Sequence, residues 1–182
     1  MPDLQGYINT GFENINANIP TAFSTLGISL NSLANNACHC SSGYVTSQSY
    51  LPALSPAGNT MAPLDFGVVF KIKTGTVSGG SPLVNIYIVG SNDGGVTWTS
   101  GVILNDSVLT LPPDVAQFWK FGTIYTPNSA QVYESNMLSV KNIFGGVPPT
   151  AWGFIVENKT GGALDATAGG SISYQMAVGT FF

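Results

Sequence analysis

Apolar side chains that recur at every second position run through the C-terminal two thirds of the chain, and that spacing leaves few folds open. In Val68-Val69-Phe70-Lys71-Ile72-Lys73, Val68, Phe70 and Ile72 fall on one side of an extended strand and the lysines on the other. Val84, Ile86 and Ile88 alternate with Asn85 and Tyr87 in the next segment. Further strands are predicted over 118–126, 131–140, 152–157 and 171–180, separated by Gly-Gly, Pro-Pro, Asn-Asp-Gly and Gly-Gly-Ala turn signals. Six or more short strands without amphipathic helices between them predict a mainly β chain, an antiparallel β-sandwich over residues 64–182.

The N-terminal part has a different period. Leu4, Ile8, Phe12, Ile15 and Ile19 are spaced by three or four, as on one stripe of a helix. Pro20 ends that run and suits the first turn of another, in which Phe23, Leu26, Leu30 and Leu33 continue the stripe. Residues 1–43 therefore read as a helical arm whose nine apolar residues form an interface, either with the β domain or with other copies. Asn9 and Asn16, seven apart beside the stripe, resemble register-setting polar positions of a coiled coil. Residues 44–63, rich in Ser, Thr, Pro and Ala, read as an extended linker.

Charge is scarce. Only 8% of the 182 residues are charged, with five Lys, no Arg, nine acids and one His, for a net charge of −4, where about 25% charged is usual. Nucleic-acid binding is excluded as a reading, because cations must replace phosphate counterions. Arg-based clamps on phosphate or carboxylate are impossible within one chain. The longest apolar runs, such as 84–89, fall far below the ~20 residues of a membrane-spanning helix. Met1-Pro2-Asp3-Leu4-Gln5 lacks the basic and apolar regions of a secretory signal. A chain this poor in charge stays dissolved most simply if other subunits cover much of its surface.

Three constellations carry possible chemistry. Cys38-His39-Cys40 is the only soft-ligand cluster; it reads as inert residues in a polar loop, as interchain disulfides, or as a metal site completed by symmetry. Gly90-Ser91-Asn92-Asp93-Gly94-Gly95 before Val96-Thr97-Trp98 reads as a turn, or as a glycan site with Asp93 as acceptor and Trp98 as stacking platform. Trp119, Trp152, Tyr87, Tyr125, Tyr133 and Tyr174 read as core or subunit contacts rather than a carbohydrate groove. Acid–base chemistry near neutral pH would rest on His39 or on a carboxylate pair such as Asp93 with Asp106. No phosphate loop, G-x-S-x-G or H-E-x-x-H occurs. No catalytic residue and no cofactor is assigned, and the chain reads as a non-enzyme.

Two segments carry a resemblance: the run from Val84 to Trp98, and Trp152-Gly153-Phe154-Ile155-Val156-Glu157-Asn158-Lys159-Thr160-Gly161-Gly162-Ala163-Leu164-Asp165. Both resemble strand–turn segments of small virion structural proteins of tailed bacteriophages, over roughly residues 64–180. The resemblance implies a jelly-roll-like sandwich that decorates or cements a capsid, or serves in a neck or fibre. It also implies a symmetric oligomer, commonly a trimer, with major capsid, portal or tail proteins as partners in a virion assembled in the host cytoplasm. Gly-Ser-Asn-Asp-Gly followed by Trp98 is also similar to discoidin-type galactose-binding modules. Those carry Arg in their binding loops, and this chain has none.

Overall fold

The computed structural model describes residues 24–47, 60–79, 81–110, 119–167 and 171–181. Eleven strands appear among them: β1 (Ser24–Leu26), β2 (Cys38–Cys40), β3 (Val45–Thr46), β4 (Thr60–Lys73), β5 (Leu83–Ser91), β6 (Val108–Leu109), β7 (Trp119–Tyr125), β8 (Val132–Glu134), β9 (Leu138–Ser139), β10 (Ala151–Lys159) and β11 (Ser171–Phe181). One short helix, α1 (Val140–Ile143), follows β9. The strands form two antiparallel sheets. The first runs β1-β11-β4-β8, with β9 also on β4, and the second runs β6-β2-β10-β5-β7, with β3 also on β10.

The alternation read from the sequence becomes the shared core. Phe66, Val68, Phe70 and Ile72 of β4 and Ile172 of β11 face Val84, Ile86 and Ile88 of β5 and Trp152, Phe154 and Val156 of β10 across the gap between the sheets. Trp152 sits at the centre with no exposed surface. Phe66, Phe154 and Tyr174 meet its ring edge-on at centroid distances of 5.2–5.6 Å. Among the described residues its indole N–H has no hydrogen-bond acceptor.

A second apolar cluster lies on the outer face of the second sheet. Cys38, Cys40, Tyr87, Val89 and Ile155 are covered there by Trp98, Val102, Leu104 and Leu109. Gly153 makes this cover possible, since a Cβ at that position would collide with the end of the Leu104 side chain. Both faces of β10 are consequently buried, which explains why Trp152–Val156 reads as a continuous apolar run.

The pairings bring the loops into two groups. At one end, Ala130 N–H donates to Gly75 O (2.9 Å), Ser78 N–H to Thr160 O (3.0 Å) and Leu164 N–H to Leu33 O (3.0 Å). The amide of the fully buried Asn158 donates to Leu33 O and Gly162 O, both at 2.8 Å. Gly161, at φ +85°, lets its turn press on the Ser78 backbone, where any side chain would collide. At the other end, residues 41–47, 90–101 and 144–150 meet.

Several expectations are corrected here. Residues 24–43 are not a helical arm: β1 and β2 lie in this stretch, and Leu26, Leu30 and Leu33 are buried in the sandwich core. The omitted residue is Ile28, which is buried as well. Leu26-Gly27-Ile28-Ser29-Leu30 alternates buried and exposed, a period of two that a four-residue spacing conceals. Leu4, Ile8, Phe12, Ile15, Ile19 and Phe23 lie outside the described residues. The 44–63 linker is shorter at both ends, since β3 pairs with β10 and β4 begins at Thr60. The strand expected over 131–140 is broken into β8 and β9 and ends in α1. Ser135 enters the gap as a substitute rung, its N–H donating to Phe70 O (2.9 Å) and its hydroxyl accepting from Phe70 N (3.0 Å).

Candidate functional site

The Gly90–Trp98 segment is a turn built on one carboxylate. Asp93 Oδ1 accepts from the Ser91 hydroxyl (2.6 Å), Val96 N–H (3.0 Å) and Thr97 N–H (2.9 Å). The Ser91 hydroxyl, then Thr97, hold the Asp93 carboxyl far below the usual carboxylate range. Gly94 N–H donates to Thr150 Oγ1 (3.1 Å), which ties the turn to the strand entering β10. Asp93 thus has a structural role that turn chemistry explains in full.

Trp98 is not an open platform. Its indole N–H is committed to Gly95 O (3.0 Å), and its ring is half-buried against the second apolar cluster. It props Tyr44 from below, edge to face, at 5.1 Å between centroids. Tyr44 is the aromatic that faces water, 43% exposed. Asp93 and Trp98 both belong to this turn, but the ring presented to water is Tyr44, at the start of the expected linker.

Alternation settles how Cys38, His39 and Cys40 are arranged. Both cysteines point to the outer cluster and His39 to the opposite face, because β2 is a regular strand paired with β10 at Ile155, Val156 and Glu157. Two thiols and an imidazole on opposite faces cannot converge on one ion. Among the described residues, no group of three or more His, Cys, Asp or Glu side chains gathers in a way that could hold a metal. Both cysteines are buried, and neither forms a disulfide among the described residues. The Cys40 sulfur lies 3.4 Å from Ser107 O and accepts the Ser107 N–H at 3.4 Å, so it anchors the covering loop.

His39 lies beside Asp106 and Ser29, which invites comparison with a nucleophile triad. The connectivity differs from one. Ser29 gives both its hydroxyl (2.6 Å) and its N–H (2.7 Å) to the Asp106 carboxylate, and His39 Nδ1 lies 3.6 Å from the same group. Burial raises the Asp106 pKa, but the two Ser29 bonds and the His39 ring outweigh it and leave it lowered. No imidazole accepts from the Ser29 hydroxyl, so that hydroxyl is not activated as a nucleophile.

The most elaborate polar group was missed in the sequence. Thr123, Asn85, Glu157 and Cys38 form one row across β7, β5, β10 and β2 on the outer face of the second sheet. Glu157, 8% exposed, accepts on Oε2 from Asn85 Nδ2 (2.8 Å) and the Tyr87 hydroxyl (2.9 Å), while Lys159 Nζ lies 3.2 Å from Oε1. Thr123 donates to Asn85 Oδ1 (3.2 Å). Burial alone would raise the Glu157 pKa; the donations from Asn85, Tyr87 and Lys159 prevail and lower it. Burial, then the bond to Glu157 and its charge, pushes the Tyr87 phenol up to about 12. The visible signal was Asn85 and Tyr87 at the outward positions of β5, with Glu157 closing an apolar run. This network holds a single ionised carboxylate with its donors engaged, which suits cross-bracing of β5, β7 and β10 better than proton transfer.

No protein-family model, curated protein or solved structure matches the chain.

Proposed function

We propose that this chain is a non-enzymatic structural subunit of a bacteriophage virion, a decoration, cement, neck or fibre component that works as a homo-oligomer, with a trimer favoured. In this reading it docks on major capsid, portal or tail proteins after assembly in the host cytoplasm, and its N-terminal residues take part. The observation that carries the reading is the apolar surface. Trp119, Tyr125, Val132, Met137 and Val147 are each at least 45% exposed, and all come from β7, β8 and the segments beside β9 and α1. Such a surface belongs to interfaces more than to free monomers.

Strand pairing supports a jelly-roll as the finer description of the fold. With the short β3, β6 and β9 set aside, eight strands remain. The first pairs with the last (β1 with β11), the second with the seventh (β2 with β10), the third with the sixth (β4 with β8) and the fourth with the fifth (β5 with β7). That is one long hairpin rolled into two sheets, an architecture shared by capsid and lectin domains.

Light scattering of the purified full chain at micromolar concentration is expected to give a closed oligomer. A stable monomer under those conditions overturns the reading. A glycan-binding module on the same particle is the second reading, favoured by the exposed Tyr44 ring propped on Trp98. On that reading Tyr44→Ala abolishes binding on a glycan array, whereas loss of nothing, or no binding by the parent chain, removes it.

A further inference from the structure

The segment that covers the outer face of the second sheet has two parts, and they are held differently. Residues 90–101 are fixed to their own turn and to the strand ends: Thr99 Oγ1 donates to Gly90 O (3.0 Å), Gly101 N–H to Trp98 O (3.0 Å) and Gly94 N–H to Thr150 Oγ1 (3.1 Å). Residues 101–109 then lie across the outer face as a strap that ends in the two-residue β6. Within it, Leu104 fills the space that Gly153 leaves by lacking a Cβ, in one apolar cluster with Cys38, Cys40, Val89 and Ile155. The polar ties of the strap gather just before β6. Asp106 N–H donates to Ser41 O (3.0 Å), Ser107 O accepts from Cys40 N–H (3.0 Å), and Ser107 N–H rests on the Cys40 sulfur (3.4 Å).

Asp106 is the one ionisable side chain of the strap. Its carboxylate takes the N–H and the hydroxyl of Ser29, in the connection between β1 and β2, and His39 Nδ1 lies 3.6 Å away. Two charge-assisted bonds of 2.6–2.7 Å are the strongest class of contact available to such a segment. The backbone is left-handed at both Gly101 (φ +66°) and Asp106 (φ +57°). Gly101 has open space around it and turns there without steric cost. A residue with a side chain keeps that conformation because its surroundings impose it. The strap therefore has a free pivot at one end and a clamped, strained residue near the other.

We infer that residues 101–109 form a latched strap that swings open about Gly101 while the two sheets stay paired, with Asp106 as the latch and the chain's only two cysteines beneath it. Closed, it leaves Cys40 with no exposed surface and Cys38 with 2%. Open, it bares both thiols together with Val89 and Ile155, so the outer face of the second sheet is a conditional surface. This motion belongs to the single chain and goes beyond the oligomeric reading above.

The chain reports on its own strap, because it contains no other thiol. The full chain is treated with excess dithiodipyridine in native buffer, and the release of thiopyridone gives the rate of thiol capture. Dividing that rate by the one for the urea-unfolded chain gives the fraction of time the strap is open. Asp106→Asn retains a residue type that tolerates the left-handed backbone but gives up the charge and one acceptor. It is expected to raise capture about tenfold. Ser29→Ala removes one of the two donors and is expected to raise it about threefold, both with unchanged circular dichroism spectra. Trp152→Phe loosens the inner core, on the opposite face of β10 from Leu104, and is expected to leave capture unchanged. A rise in Trp152→Phe that matches its loss of stability in urea would mean that the thiols are reached only when the whole sandwich unfolds, and overturns the inference. Capture indifferent to both latch variants overturns it too, and if Asp106→Asn does not fold, Ser29→Ala decides. Each of these results leaves the proposed oligomer standing.

Discussion

Trp152→Ala is expected to lower stability by about 3–5 kcal/mol, the range for deleting a large ring from a close-packed core. Against a total of about 5–15 kcal/mol for a domain, that puts a sizeable unfolded fraction within reach of mild heating. The site has little means of collapsing, because Phe66, Phe154 and Tyr174 contact the ring from separate strands in both sheets. Trp152→Phe separates packing from hydrogen bonding. The indole N–H has no acceptor among the described residues, so the phenyl ring is expected to recover most of the deficit and to cost about 1–2 kcal/mol. Urea denaturation followed by far-UV circular dichroism measures both. Equal losses in the two variants would mean that the N–H contributes after all.

Glu157→Leu is the second large effect, expected at about 3–5 kcal/mol, the range for removing one member of a buried charged network. It strands the Tyr87 hydroxyl and the Asn85 amide, both of which donate to the lost carboxylate. Glu157→Gln is expected to lose less, because its carbonyl oxygen can still accept. The network contributes at both pH extremes, sharing the acid side with Asp93, Asp106 and Asp165, whose carboxyls are also lowered. A carboxyl with a lowered folded pKa contributes stability that is complete above its unfolded value, about 4.3, and is lost as the pH falls below it. A phenol raised to about 12 contributes stability that is complete below its unfolded value, about 10, and is lost as the pH rises from there through 12. Urea midpoints recorded from pH 3 to 12 are expected to fall at both extremes. Tyr87→Phe should flatten the alkaline limb, and an unchanged limb would assign it elsewhere.

Legibility in the sequence followed burial on a single face. β4 was readable because only alternate residues enter the core, and most positive-φ positions between strands carry Gly, Asn or Asp, with Ser32 and Ala130 as exceptions. The segment from Leu26 to Leu33 was misread because a spacing of four is common to a helix and to every second pair of inward strand residues; Gly27 and Ile28 between them hold the distinguishing information. The outer cover from Trp98 to Leu109 was not legible, since nothing local says that a loop will lie across a sheet. Gly153 marks the place only once its neighbour Leu104 is known. Glu157 was passed over for a related reason. Its partners Asn85 and Tyr87 are some seventy positions away, and only the β5–β10 register brings them together.

The rolled hairpin also dictates what a growing chain can do on the ribosome. Ser24 waits for Tyr174, and Val45 for Trp152, before either finds its place in a sheet. β1 and β3 therefore leave the exit tunnel well before the strands they pair with have been made. Folding is expected to begin at the innermost pair, β5 with β7, and to close outward, so the first segments translated are the last to be sealed.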